Sequence, residues 1–342
     1  MLSSDGGSMV EKLPVTVSRA IARTGEVHMP VVIEYAGDKV RRRFLEFFTA
    51  EIRNPETRKA YSTDIWQFLD WCDLRRRPLA DIDPMTVAAY VELLMKPKDD
   101  GGFGCSIRST KRKLAAIRAL FDYLVTGGAA SFNPASSVRG PKLRVAKGST
   151  LVLQASDAGE FLDGLDTSTV VGLRDRAIIG VMVYTFARVG AVAKLKVGDY
   201  YQNGKKWWLR LHEKGNVFNE VPVHHKAEEY LDAYMLLAGV GDDKKAPLFR
   251  STIGKTGRLT AVALHPDNVL QMVKRRARDA GVSDRLCCHT WRGTGITAYI
   301  KAGGDIRIAQ KMAGHASLKT TQIYDRSEDE VTLDEVERIV LN

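Results

Sequence analysis

Long apolar runs are missing from this 342-residue chain: no stretch approaches the roughly 18 residues of a membrane-spanning helix, which excludes an α-helical membrane protein. Cysteine is scarce. Its four copies, Cys72, Cys105, Cys287 and Cys288, are too few for a disulfide scaffold, and the adjacent pair has the wrong spacing for a zinc knuckle, so all four read as structural thiols. No P-loop, no GxGxxG context and no cluster with metal-ligand spacing occurs, so neither a nucleotide cofactor nor a metal is expected. The first twenty residues hold no basic patch followed by an apolar stretch and a small-residue cleavage site, which predicts a cytoplasmic protein without a secretory signal. Acid is nearly absent from residues 101–150, where nine basic side chains face one acidic, a net +8 of the chain's +10. So concentrated an excess points to an anionic partner.

At this length one core usually stops growing and two domains are expected. Residues 1–36 lack sustained periodicity and read as a loosely ordered arm. From Asp38 the texture is helical, with Phe44, Phe47 and Phe48 at helical spacing, then Tyr61, Ile65, Phe68, Leu69 and Cys72 along one face. Asn54-Pro55 and Asp83-Pro84 are helix-start signals. A fourth helix turns Leu114, Ile117, Phe121 and Leu124 inward and sets Arg108, Lys111, Arg112, Lys113 and Arg118 mainly on other faces. The α-helical domain then spans 37–130, and 131–150, with its Pro and Gly breakers and Arg139, Lys142, Arg144 and Lys147, reads as an extended basic linker.

The second domain, 151–342, reads as mostly helical. LRDRAIIGVMVYTFARVGAVAKL is apolar in its middle and therefore buried, while 206–211 and 219–223 are β-prone around HEKGN, giving a small antiparallel sheet. The fold class is mainly α. Polar residues stand out in the apolar helices. His289 and Arg292, three apart, share a helix face; Arg188 follows a buried run, where its charge needs an anion or a carboxylate; Lys214 sits at a hairpin tip; His315 and Tyr324 follow. Singly these have ordinary readings as a helix cap, a core histidine, half of an ion pair, a solvated charge and a packed ring.

Taken in order they resemble the tyrosine recombinase (phage integrase) family, whose pattern is Arg, a hairpin Lys, His-x-x-Arg, His or Trp, then Tyr. The motifs are FARVGAVAKLKVGDY, HEKGN, HTWRGTGITAYIKAGG and AGHASLKTTQIYDR, and the likeness covers roughly residues 38–341. It implies an N-terminal core-binding (SAM-like) helical domain and a C-terminal catalytic domain that grip duplex DNA from opposite faces. It implies a site-specific recombinase in which Tyr324 becomes joined to a 3′ phosphate and His315 hydrogen-bonds that phosphate. The acidic segment 331–341, which presents Val331, Leu333, Val336 and Ile339 or Val340, is the helix that in the family docks on a neighbouring protomer, giving a tetramer on DNA; folding back on its own domain is the other reading.

Physical chemistry supports the same assignments. Two guanidiniums, Arg188 and Arg292, can brace a phosphorane-like transition state. A phenol with pKa about 10 needs a base such as neutral His289, and the departing 5′ oxygen needs an acid such as Lys214, with Lys205 and Lys206 close by on the same sheet. Many relatives place an acid three residues after the first arginine. This chain has Ala191, so that support is missing or comes from elsewhere, Asp199 being one source. Arg108, Lys111, Arg112, Arg139, Lys142, Arg144, Lys274 and Arg276 are candidate DNA contacts by charge and placement. A regulatory or architectural DNA-binding protein on the same fold, and DNA relaxation as in type IB topoisomerases, stay open.

Overall fold

The computed structural model describes residues 29–142, 150–213, 218–254 and 256–325. The chain divides into two compact units, Met1–Arg144 and Val145–Asn342. Residues 1–28 of the expected arm at 1–36, Arg144 and Lys147 of the linker, the hairpin tip with Lys214 and the C-terminal helix at 331–341 lie outside the described residues.

In the first unit the helices are α1 (Val31–Glu34), α2 (Asp38–Glu46), α3 (Pro55–Leu74), α4 (Pro84–Met95) and α5 (Ile107–Thr126). Start signals act as the sequence predicts. Asn54 accepts from the backbone N–H of Glu56 and Thr57, and Asp83 accepts from Thr86. α2 continues into a π-helical turn, Phe47–Glu51, and Phe47 and Phe48 are both buried there, in a core with Phe44, Phe68, Tyr90 and Phe121.

Two stretches depart from expectation. Residues 29–36 are not part of a loose arm, because α1 buries Val32 and Ile33 in this core. The first part of the expected linker is fastened to α5: Arg118 donates to the carbonyls of Ala135 and Val138, Asn133 donates to Asp122 at 2.6 Å, and Ala135 and Val138 are buried. Those contacts satisfy polar backbone groups that an extended linker would leave to water.

The second unit contains α6 (Ala155–Asp163), α7 (Val170–Thr185), α8 (Val189–Ala193), β1 (Tyr200–Asn203), β2 (Lys206–His212), β3 (Phe218–Pro222), α9 (His225–Ala238), β4 (Arg250–Thr252), β5 (Leu259–Ala263), α10 (Pro266–Asp279), α11 (Cys288–Lys301), α12 (Ile306–Met312) and α13 (Leu318–Gln322). The fold is mainly α, with a small antiparallel sheet in the order β1-β2-β3 and a separate β4-β5 pair that the sequence reading did not anticipate. Leu209 and Leu211 on β2 and Val221 on β3 are buried in the core.

α7 packs against both α9 and α11. Glycine permits the second contact, since a Cβ on Gly295 would stand 2.0 Å from the carbonyl oxygen of Val183. At the other end of α7, fully buried Asp175 accepts from Arg174 at 2.9 Å, Arg276 at 3.0 Å and Arg275 at 3.2 Å, which ties α7 to α10.

Candidate active site

Arg188 owes its place to a break in the helical run that the sequence does not signal. α7 stops where Phe186 adopts a left-handed conformation (φ 57°, ψ 24°), and α8 starts two residues on with Arg188 as its N-cap. For a residue with a Cβ this costs on the order of 1–3 kcal/mol and needs surrounding contacts to hold it. Those contacts are present: the Phe186 ring is buried, meets Tyr299 edge to face at 5.9 Å, and its carbonyl accepts from Arg292 Nη1.

Arg292 is 1% exposed on α11. Its second nitrogen donates to the carbonyl of Ala313 at 2.6 Å, so two main-chain oxygens from distant segments fix the guanidinium plane. Burial, helped by the Arg188 cation, brings its pKa down to about 10, which leaves it protonated at neutral pH. His289, one turn earlier, lies at the surface but is crowded by protein atoms; this desolvation, then the charges of Arg292 and Arg188, hold its pKa below the ordinary imidazole value.

His315 is buried and held at three points. Its N–H donates to the Gln310 carbonyl, its carbonyl accepts from Gln310 Nε2 at 3.0 Å, and Nδ1 lies 2.9 Å from the Thr321 hydroxyl. Burial first, then Arg292, Arg188 and His289, push its pKa down to about 4, so the ring is neutral at pH 7. Tyr324 follows α13, its carbonyl accepting from Thr297 at 2.9 Å and its ring parallel to that of His315 with centroids 6.1 Å apart. A Cβ at Gly293 would stand 3.0 Å from Tyr324 Cε1, so the glycine gives the phenol ring its room.

Arg188, His289, Arg292, His315 and Tyr324 are thus brought together, from α8, α11 and the segments flanking α13. The carboxylate beside Arg188 is not Asp199, which instead accepts from the Lys196 N–H at 2.9 Å and pairs with His212 at 3.0 Å. It is Glu213, directly after β2, whose Oε2 accepts from Arg188 Nη1. Sequence reasoning missed Glu213; its one signal is its position directly before Lys214.

Among the candidate DNA contacts, Arg108, Lys111, Arg139 and Lys142 are exposed. Arg112 donates to buried Asp64 at 3.1 Å, and Lys274 donates to the Asp284 carbonyl. Arg276 is a correction: at 15% exposure and committed to Asp175, it is part of the fold's internal ion cluster.

Two guanidiniums, two neutral imidazoles and one phenol stand together, with the Glu213 carboxylate beside Arg188. Such a set can hold a phosphodiester by its nonbridging oxygens, take the phenolic proton and stabilise the charge of a five-coordinate phosphorus.

Comparison with known proteins gives a consistent result. The model of the phage integrase family matches residues 152–330, and that of the phage integrase N-terminal SAM-like domain matches residues 42–128. The tyrosine recombinase XerD of Listeria innocua is 29% identical over 286 residues, covering 82% of this chain and 91% of that protein. A post-cleavage complex of the XerH site-specific recombinase on its difH substrate has the same fold, with TM-score 0.67, 21% identity and 88% of each chain covered. So has a lambda integrase tetramer bound to a Holliday junction, with TM-score 0.61, 20% identity, and 86% of this chain and 83% of that one covered.

Proposed function

Because this chain belongs to the phage integrase family and is a DNA-cleaving and DNA-rejoining enzyme of the tyrosine recombinase kind, we propose that it exchanges DNA strands at specific sites through a covalent 3′-phosphotyrosine. The observation that carries this reading is the convergence of Arg188, Arg292, His289, His315 and Tyr324, with the imidazole charge suppressed and the Arg292 charge kept. Tyr324 Oη attacks phosphorus and the bond to the 5′ oxygen breaks. The phenolic proton passes to His289, and Lys214 protonates the departing oxygen. Arg188 and Arg292 neutralise the nonbridging oxygens, where charge builds in the transition state. Neutral His315 contributes a hydrogen bond from Nε2 when the Thr321 hydroxyl donates to Nδ1.

The phosphotyrosine retains the energy of the cleaved bond, so a 5′ hydroxyl from a second duplex reseals it by the reverse step. Two rounds of that exchange pass through a Holliday junction. Four protomers on DNA are the corresponding assembly, linked through segment 331–341, and the lambda integrase tetramer on such a junction supports this.

Nicked duplexes drawn from the DNA flanking the protein's own gene provide the test. Wild type should form an adduct that survives SDS and Tyr324→Phe should form none. Site-specific binding with no adduct on any fragment overturns the reading in favour of a regulatory DNA-binding protein.

A further inference from the structure

Glu213 is 6% exposed, while the Arg188 side chain it pairs with is 37% exposed. Oε2 accepts from Arg188 Nη1, and Oε1 is buried with no hydrogen-bond partner among the described residues. The carboxylate lies beside the loop after α12, since a Cβ on Gly314 would lie 3.5 Å from Glu213 Cδ. The Gly314 carbonyl in turn lies 3.4 and 3.5 Å from the two terminal nitrogens of Arg188.

Burying a carboxylate with one oxygen unpaired is costly, and an isolated structural ion pair rarely repays it. The arrangement makes sense if the cation's setting matters more than the pair's own contribution to stability. A guanidinium has five N–H donors in a rigid plane, so an acceptor on one edge fixes the direction of the others. Glu213 is also near enough to Arg292 to favour its charged form, which tempers the repulsion between the two guanidiniums.

We propose that Glu213 is the positioning residue for Arg188: it locks one edge of the guanidinium so that the remaining donors meet a nonbridging phosphate oxygen. α8 offers Arg188 no acid, with Ala191 three residues on, and the carboxylate comes instead from the residue directly after β2. The assignment rests on the recombinase reading, and Glu213 acts through Arg188 without touching the DNA.

Single-turnover cleavage by the full chain tests it, with wild type, Tyr324→Phe, Glu213→Gln and Glu213→Asp on three versions of the cleavable fragment. With ordinary phosphate, Glu213→Gln should form the adduct roughly 10- to 100-fold more slowly, the range of one charge-assisted hydrogen bond, at unchanged noncovalent affinity. Glu213→Asp should recover part of the rate. A methylphosphonate at the scissile position removes one nonbridging charge, and the Glu213→Gln deficit should shrink on it because less is asked of Arg188. A 5′-bridging phosphorothiolate, whose leaving thiolate needs no proton, should leave the deficit intact.

Rescue by the phosphorothiolate instead would mean that Glu213 serves Lys214, and an equal deficit on all three substrates would mean a merely structural role; either overturns the proposal. A Glu213→Gln enzyme as fast as wild type, or faster, would show the carboxylate to be idle or a competitor of phosphate. If wild type forms the Tyr324-dependent adduct, such results remove only this assignment. If wild type forms none, the recombinase reading falls and takes the assignment with it.

Discussion

Arg292 donates to the main-chain carbonyl of Phe186, a residue 106 positions earlier, and so holds from α11 the left-handed turn that sets Arg188 in place. One arginine thus both belongs to the candidate site and maintains the backbone that supplies its partner. Lys at this position keeps the charge but replaces the rigid fork, whose two terminal nitrogens meet Phe186 and Ala313 separately, with one flexible ammonium. Arg292→Lys should therefore abolish adduct formation and lower unfolding free energy by about 1–3 kcal/mol, the cost of leaving a buried carbonyl unpaired. Arg188→Lys, at a partly exposed pair, should abolish the adduct with less than about 1 kcal/mol of destabilisation. Equal losses in urea titrations of the two variants would contradict this division of roles.

The approach of α11 to α7 makes a second prediction. A methyl group on Gly295 would meet the Val183 carbonyl oxygen at 2.0 Å, which is backbone and cannot swing aside. Gly295→Ala should cost about 1–3 kcal/mol through helix displacement, against the usual helix preference for alanine. Gly159, inside α6, has nothing within 4 Å of the same position, and Gly159→Ala should stabilise by about 0.5–1 kcal/mol. Thermal melts of both variants decide it, and a neutral Gly295→Ala would mean that the helices are not so closely packed.

How much of this was legible in the sequence depends on the reach of each interaction. The Asn54 and Asp83 caps and the shared face of His289 and Arg292 involve partners within a few residues, so spacing alone revealed them. The break at Phe186 was hidden because VMVYTFARVG is apolar through its middle, carries no Gly or Pro where the helix stops, and is held by Arg292 from far along the chain. Glu213 was overlooked for a similar reason, its partner Arg188 being 25 residues away. Residues 131–138 carried linker punctuation, yet Arg118 bonds them down; an arginine that pairs with backbone carbonyls leaves no pattern in composition. β4, of only three residues, is too short for its alternation to register.

Stability should fall with acid through His315. Its folded pKa of about 4 lies below the ordinary 6.5, so between those values the unfolded chain takes up a proton that the native chain refuses. Stability is therefore fully present above the unfolded value and is lost as pH falls toward about 4, by on the order of 3 kcal/mol from this group. His289, also lowered, adds to the loss in the same direction. His315→Gln cannot titrate, and its unfolding free energy should decline less than that of wild type between neutral pH and about pH 4. Parallel declines in denaturant titrations would show that this imidazole is not held neutral.

DNA affinity should divide the basic residues by what already holds them. Arg108 and Lys111 are exposed near the start of α5, where phosphates can reach them, whereas Arg276 is largely buried against Asp175. Each phosphate contact contributes about −0.9 to the slope of log affinity against log salt, so Arg108→Ala and Lys111→Ala should each flatten that slope by about 1. Arg276→Ala should leave the slope unchanged and instead cost about 1–3 kcal/mol of stability, because Asp175 loses one of its three arginine partners. Salt titrations of binding and melts on the same three variants separate the two roles. An Arg276→Ala protein that melts like wild type but shows a flattened slope would move Arg276 from the ion cluster to the DNA surface.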